Sequence, residues 1–252
     1  MTTQPISGKF CAVDRLLAVS HPFNGLDPAL LTQVAAQTVR GRKVRGTPVF
    51  EQGTPADALY LITSGIVKLT RSTADVELNI LGLFGPRECV GVPSFLAGAT
   101  HAGTAYAATD SVEYLRIPIN ALNEGIARDA RLAAALLRAT QSYADVLTSK
   151  VDVLSAGSVS RRLARLFLAL GERFGDELEE GSLVIPVSLS RRELSLLVGS
   201  CMESVIRVVS AWQKQGLLRT SANGFELIAP SMLREVATRA EADRECAPPL
   251  SA

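Results

Sequence analysis

The chain has no apolar run approaching the roughly 18 residues that a membrane span needs. Its start, "MTTQPISGKFCAVDRLLAV", lacks a basic region followed by an apolar core and a small-residue cleavage site. The expectation is a cytoplasmic protein with no membrane partner and no secretory signal. Cysteine is scarce as well. Cys11, Cys89, Cys201 and Cys246 stand far apart, with no C-x-x-C and no histidine spaced to complete a zinc site. That spacing excludes a disulfide framework and a zinc finger, and no metal site is expected. His21 and His101 are the only histidines and neither sits in a motif. With no Ser-His-Asp arrangement and no phosphate loop either, nothing points to an enzyme. Net charge is only +1, so any surface for a polyanion must be local.

A length of 252 residues suits two domains. Residues 10–42 read as helical, with Asp27 as N-cap and Pro28 at the first helical position of a short helix. From residue 44 to 118 the texture changes to short β-favouring runs, "PVFEQG", "ALYLITSGIVKLT", "VELNILGLF" and "SVEYLRIP", separated by Gly, Pro, Ser and Asp. Such runs suggest a small barrel or sandwich. Then "DARLAAALLRATQSYADVLTSKVDVLS", residues 129–155, runs for 27 residues without Gly or Pro and predicts a long helix. Leu132, Leu136, Ala139, Tyr143, Val146, Lys150 and Val153 follow the alternating spacing of a coiled-coil seam. Ala133, Leu137, Thr140, Ala144, Leu147, Val151 and Leu154 form a second stripe beside it. One stripe is expected to pack on the β-domain and the other on the same helix of a second chain, making a homodimer. Gly157, in "SAGSVS", offers a hinge before an amphipathic helix closed by Gly175, and "DELEEG" reads as a solvated loop.

The last third holds the local charge bias. Over residues 187–220, Arg191, Arg192, Arg207, Lys214 and Arg219 face only Glu193 and Glu203, which suits contact with phosphates. In "SLSRRELSLLVG", Ser190 and Glu193 form an S-x-x-E capping box. Gly199 permits a turn, and the next helix buries Val205, Val208, Val209 and Trp212, leaving Glu203, Arg207, Ser210 and Lys214 on the opposite stripe. Two helices joined at a glycine make a helix-turn-helix. Asn223 and Gly224 then sit between two β-like runs as a hairpin signal, which makes the module a winged helix.

On the strength of "GTPVFEQGTPADALYLITSGIVKL", "SVSRRLARLFLAL" and "LSRRELSLLVGSCMESVIRVVSAWQKQGLL", the chain resembles, over nearly its whole length, the CRP/FNR superfamily of bacterial transcription factors. The resemblance implies an α+β protein: a β-roll sensor over residues 10–128, a dimerisation helix over 129–156, a winged helix-turn-helix over 157–230, and a C-terminal helix and flexible tail over 231–252. It also implies double-stranded DNA and RNA polymerase as partners. The family's recognition helix carries R-E-x-x-x-R or V-E-x-x-S-R. Here "MESVIR" keeps Glu203 and Arg207, while Met202 and Ile206 depart from the two variants. Arg can donate two hydrogen bonds to guanine and Glu can accept from cytosine N4, so the pair can read one G·C base pair. Ser190, Arg191, Met202, Ser204, Ser210 and Lys214 complete the candidate DNA contacts. An alternative stands beside this one: with Ser200 as N-cap, Ser200 and Glu203 would form a second capping box and Glu203 would be structural.

For the sensor, the family's cyclic-nucleotide pocket supplies a Glu for the ribose and an Arg for the phosphate. In the aligned "CVGVPSFLAGATHAGTAYA", Gly91 is kept, but Val92 stands where the Glu belongs and Ala102, beside His101, where the Arg belongs. A buried phosphate without its cation carries a desolvation cost of several kcal/mol, so cyclic AMP binding in the family's manner is expected to be lost. Gly91, Val92, His101, Ala102 and Thr148 remain the candidate pocket residues, and the apolar Val92, Pro93, Phe95 and Leu96 suit an uncharged effector. The iron-sulfur branch needs four thiolates, and only Cys11 precedes the β-domain. No cofactor is expected; haem, on His101 or His21, is the alternative, though a lone loop histidine reads first as a surface residue. Cys201, near a helix N-terminus, is a candidate redox site, or else simply a small residue tolerated at the turn. The competing functions are a cyclic-nucleotide- or haem-responsive regulator and a binding module that acts through protein contacts.

Overall fold

The computed structural model describes residues 12–74, 78–178 and 181–238. Two helices, α1 (Ala12–Val19) and α2 (Pro28–Ala36), open it. Asp27 caps α2 as expected, accepting from the Ala29 and Leu30 amides at 2.8 and 3.3 Å. The helical reading of residues 10–42 overshoots, because residues 39–42 are extended. They begin β1 (Val39–Val44), an edge strand that pairs only with β8 (Ser111–Pro118). Its "VRGRKV" carries charges on an exposed edge, which hides the strand period and discourages pairing with other chains.

Two antiparallel sheets make the N-terminal body. One runs β1, β8, β3 (Ala58–Ser64), β6 (Cys89–Val90); the other runs β2 (Pro48–Phe50), β7 (Thr104–Ala107), β4 (Val67–Arg71), β5 (Asn79–Phe84). The period of two is clearest in β3. Leu59 and Leu61 point to the helices and join Leu17, Phe23, Leu30 and Leu132. Tyr60 and Ile62 point between the sheets, among Phe50, Leu69, Phe84 and Val112. The sequence runs did not separate β7, nor the helices α3 (Val92–Leu96) and α4 (Ile119–Arg128).

The long helix is α5 (Arg131–Leu154), about 36 Å at 1.5 Å per residue. Its first stripe packs on the chain's own body: Leu132, Leu136, Ala139, Val146 and Val153 are buried. Tyr143 stacks on Phe84 with centroids 5.4 Å apart. Lys150 donates to Asn79 Oδ1 at 2.7 Å and to the Ile80 carbonyl, and burial lowers its pKa. The second stripe faces outward, with Leu137 69% and Val151 59% exposed. Gly157 (φ 79°) then turns the chain into α6 (Val159–Phe174), capped by Ser158.

The C-terminal body is built from α6, α7 (Arg191–Val198), α8 (Met202–Lys214), α9 (Pro230–Thr238) and a sheet in the order β11 (Leu218–Ser221), β12 (Gly224–Leu227), β10 (Leu183–Ile185), β9 (Asp176–Glu177). β9 takes part of the segment expected to be a loop, since Asp176 and Glu177 pair with β10. Of the C-terminal segment, α9 accounts for the helix, and residues 239–252 lie outside the described residues. Phe167 stands edge-on to Trp212 and Phe225 at 6.4 and 5.0 Å. The core does not stop at this body: Ile66, Ile80, Leu83 and Ala108 of the roll share one apolar cluster with Leu166, Leu170 and Leu197. Arg173 reinforces the seam, donating to Glu88 at 2.8 Å and to the Leu83 carbonyl at 2.9 Å.

Candidate nucleic-acid interface

The capping box forms as the sequence requires. Ser190 Oγ accepts from the Glu193 amide at 3.2 Å, and the Glu193 carboxylate accepts from the Ser190 amide at 2.8 Å. Gly199 ends α7 at φ 58°, a left-handed conformation that favours glycine, with the tip of the Leu154 side chain 2.8 Å from where a Cβ would lie. Arg162 of α6 donates to the last carbonyls of α7, Val198 and Gly199, at 3.2 and 3.1 Å. α7 and α8 are thereby bent by 107° from one another, within the range of a helix-turn-helix.

The N-cap of α8 is Cys201, one residue later than the alternative reading needed, so the second capping box does not form. Ser200 instead donates its amide to the Ser195 carbonyl at 3.1 Å. Val205, Val209 and Trp212 are buried, and Val208 is half-buried against the same core. Glu203, Arg207 and Lys214 are exposed; Ser204 and Ser210 are half-buried. Among the described residues no ion pair joins Glu203 to Arg207, whose guanidinium reaches back to Ser204 Oγ at 3.4 Å. Cys201 Sγ also meets Ser204 Oγ, at 3.2 Å, and that hydrogen bond holds its thiol below the ordinary thiol range.

Other candidates are placed less simply. Ser190 is exposed but its hydroxyl is engaged by Glu193. Arg191 is half-buried, and burial lowers its pKa. The charge bias of the segment is smaller than its sequence suggests, because Arg219 pairs with Glu226 across the hairpin at 2.7 Å. Glu193 is shared with Lys68 of β4, an ion pair between the roll and the first turn of α7 that the sequence did not reveal. Burial pushes the Glu193 carboxyl up, but Lys68 and the Ser190 bonds outweigh it and leave the pKa below the usual value. In the wing the two turn residues are Ala222 and Asn223, one place earlier than expected, and neither has positive φ. Gly224 belongs to β12, where a Cβ would meet the Ile185 carbonyl at 2.0 Å.

In the roll, Gly91 and His101 come together and the other pocket candidates do not. Gly91 has φ 82° and a Cβ on it would lie 3.2 Å from His101 Cε1. His101 is buried rather than at the surface, stacked on Phe50 with centroids 3.8 Å apart and tilted to Tyr60 at 6.0 Å. Neither of its ring nitrogens has a hydrogen-bond partner. Burial lowers its pKa against the opposing field of Asp57, so the ring is held neutral. Val92 belongs to the apolar core beside Phe95, not to a pocket. Ala102 and Thr148 are exposed, as is His21. Among the described residues no group of three or more His, Cys, Asp or Glu could hold a metal ion.

Residues 42–129 match the cyclic nucleotide-binding domain family, and residues 161–236 match the Crp-like helix-turn-helix domain family. The cyclic AMP receptor protein of Thermus thermophilus is 30% identical over 217 residues, covering 85% of this chain and 95% of that one. The CRP-like cAMP-activated global transcriptional regulator of Mycobacterium tuberculosis is 29% identical over 207 residues, 82% and 92% of the two chains. Among solved structures, the c-di-GMP responsive global regulator CLP of Xanthomonas campestris superposes with a TM-score of 0.65 at 26% identity, covering 80% of this chain and 99% of that one.

Proposed function

Because this chain belongs to the CRP/FNR superfamily of transcription regulators, we propose that it works as a cytoplasmic homodimer that reads a twofold-related DNA site, with Glu203 and Arg207 at one G·C pair of each half-site. One observation carries this reading: α8 follows α7 at 107° and holds Glu203 and Arg207 exposed on the side away from Val205, Val209 and Trp212. The exposed Leu137 and Val151 of α5 support the dimer, since a second copy of the helix would cover them. Half-sites then lie about one helical turn, 34 Å, apart. The working division is a sensor over residues 10–128, a dimer helix over 129–156, a DNA-binding unit over 157–230 and a tail beyond, with RNA polymerase as the downstream partner.

The sensor does not take cyclic AMP in the way the names of its relatives suggest for them. Val92 is core, Ala102 brings no charge, and an aromatic stack of Phe50, His101 and Tyr60 lies against Gly91. The partnerless nitrogens of His101 favour a small uncharged hydrogen-bonding effector as the alternative. Selection of bound DNA from a random pool, with and without cyclic AMP, tests both halves. A twofold-related consensus unchanged by the nucleotide is expected. In its half-sites Arg207→Ala should relax one G·C position, and Lys214→Ala should weaken all sites and flatten the salt dependence. Failure to select any consensus, or tight stoichiometric cyclic AMP binding by calorimetry, overturns the corresponding half.

A further inference from the structure

The recognition helix presents more than its charged pair. Met202 and Ile206, four residues apart, are 43% and 41% exposed, while every other large apolar side chain of α8 lies against the core. At that spacing they form a continuous strip along one flank of the Glu203 and Arg207 stripe. Single exposed apolar residues are ordinary on a protein surface. Two in register in the N-terminal half of a recognition helix are not, because that half meets base edges. Hydrophilic side chains there would cost nothing in solvent, so what the strip gains must come from contact. On the major-groove floor the apolar feature is the C5-methyl group of thymine, which no other base carries.

We propose that Met202 and Ile206 pack on thymine methyl groups next to the G·C pair read by Glu203 and Arg207, so that the half-site requires T at those positions. The inference rests on the DNA-reading function above and adds a hydrophobic component to its specificity. Burying one methyl group is worth roughly a three- to five-fold change in affinity, and a dimer engages the contact twice.

The test uses the full-length protein, the site obtained by selection, and the same site with deoxyuridine replacing thymidine one position at a time in both half-sites. Binding is followed by fluorescence anisotropy at fixed salt. Uracil keeps the hydrogen-bonding edge of thymine and lacks only the methyl group. One or two positions should bind about ten-fold more weakly as uridine. Ile206→Ala and Met202→Ala, both at surface positions, should each lose the uridine penalty at the position its own side chain covers while keeping their G·C requirement. Equal binding of all uridine-substituted sites by the unaltered protein overturns the proposal. So does a uridine penalty that survives in both variants, since the methyl contact then belongs to other residues. Absence of any selected site condemns the DNA-reading function instead, and is distinguishable from either result.

Discussion

Glu193 performs two tasks with one carboxylate, and they can be separated. It closes the capping box on Ser190, and it pairs with Lys68 of the roll, both side chains being about one-fifth exposed at 21% and 20%. Glutamine can still accept from the Ser190 amide, since the box admits Glu or Gln, but it carries no charge for Lys68. Glu193→Gln therefore reports the interdomain pair alone; a charge-assisted hydrogen bond of this kind is worth about 1.5 kcal/mol. Glu193→Ala removes the cap too, adding about 1 kcal/mol. At roughly 2–4 °C per kcal/mol for a chain of this size, the melting temperature should fall by about 4 °C for Gln and about 7 °C for Ala. Lys68→Met should match Glu193→Gln, and the double variant should cost little more than either single one. Additive losses in that cycle, measured by scanning calorimetry, would refute the pairing. Equal losses for Gln and Ala would refute the cap.

Three other outcomes follow from the same geometry. Stability should be level between about pH 7 and 8.5, fall above about pH 9 as the unfolded Cys89 thiol ionises and the buried one does not, and decline in two stages on acidification. The first begins below 6.5, the ordinary His value, because folded His101 resists protonation, and His101→Phe should abolish it; the second begins below 4.5, where the unfolded Glu193 carboxylate takes up a proton that the folded one, held ionised beside Lys68, does not, and Glu193→Gln should shrink it, leaving the part due to Asp129 beside Arg131. Leu137→Glu with Val151→Glu should give monomers by analytical ultracentrifugation and weaken binding to a full site by about 100-fold or more, as one half-site is lost; dimers that persist would remove α5 from the interface. Iodoacetamide at neutral pH should modify exposed Cys201 far faster than buried Cys89, whose thiol burial pushes up, and should weaken DNA binding. Loss of binding that persists in Cys201→Ser would dismiss a role for that thiol.

The features legible in sequence were those settled within a few residues. Ser190 with Glu193, Gly199, and the burial of Val205, Val209 and Trp212 all follow from helix spacing and local hydrogen bonding, and they were enough to find the candidate site. Contacts made across the chain left no such trace. Lys68 and Glu193 are 125 residues apart, and nothing around either announces the other. His101 lies between Ala and Thr residues with no periodic pattern, so its place under Gly91 and beside Phe50 depended on the roll closing around it. β1 was lost to its own charges, and the hairpin turn was misplaced by one residue because Gly224 is needed for its approach to Ile185, not for turn geometry.

The strand β5 and the residue just past it carry two bare patches of backbone. At Gly82 a Cβ would meet Val146 of α5 at 2.5 Å, and at Gly85 one would meet Phe174 of α6 at the same distance. The helix proposed to set the twofold axis and the helix that carries the reading head are thus seated three residues apart on one short piece of chain. A methyl group added at either seat would have to displace the side chain it meets, Val146 Cγ1 or the Phe174 ring, and through it press on the helix that carries it. On the proposed function, a larger residue at either seat would bear on how the dimer helix and the DNA-binding body lie on the roll, at a point remote from any base, and the sequence read within each half-site should stay the same.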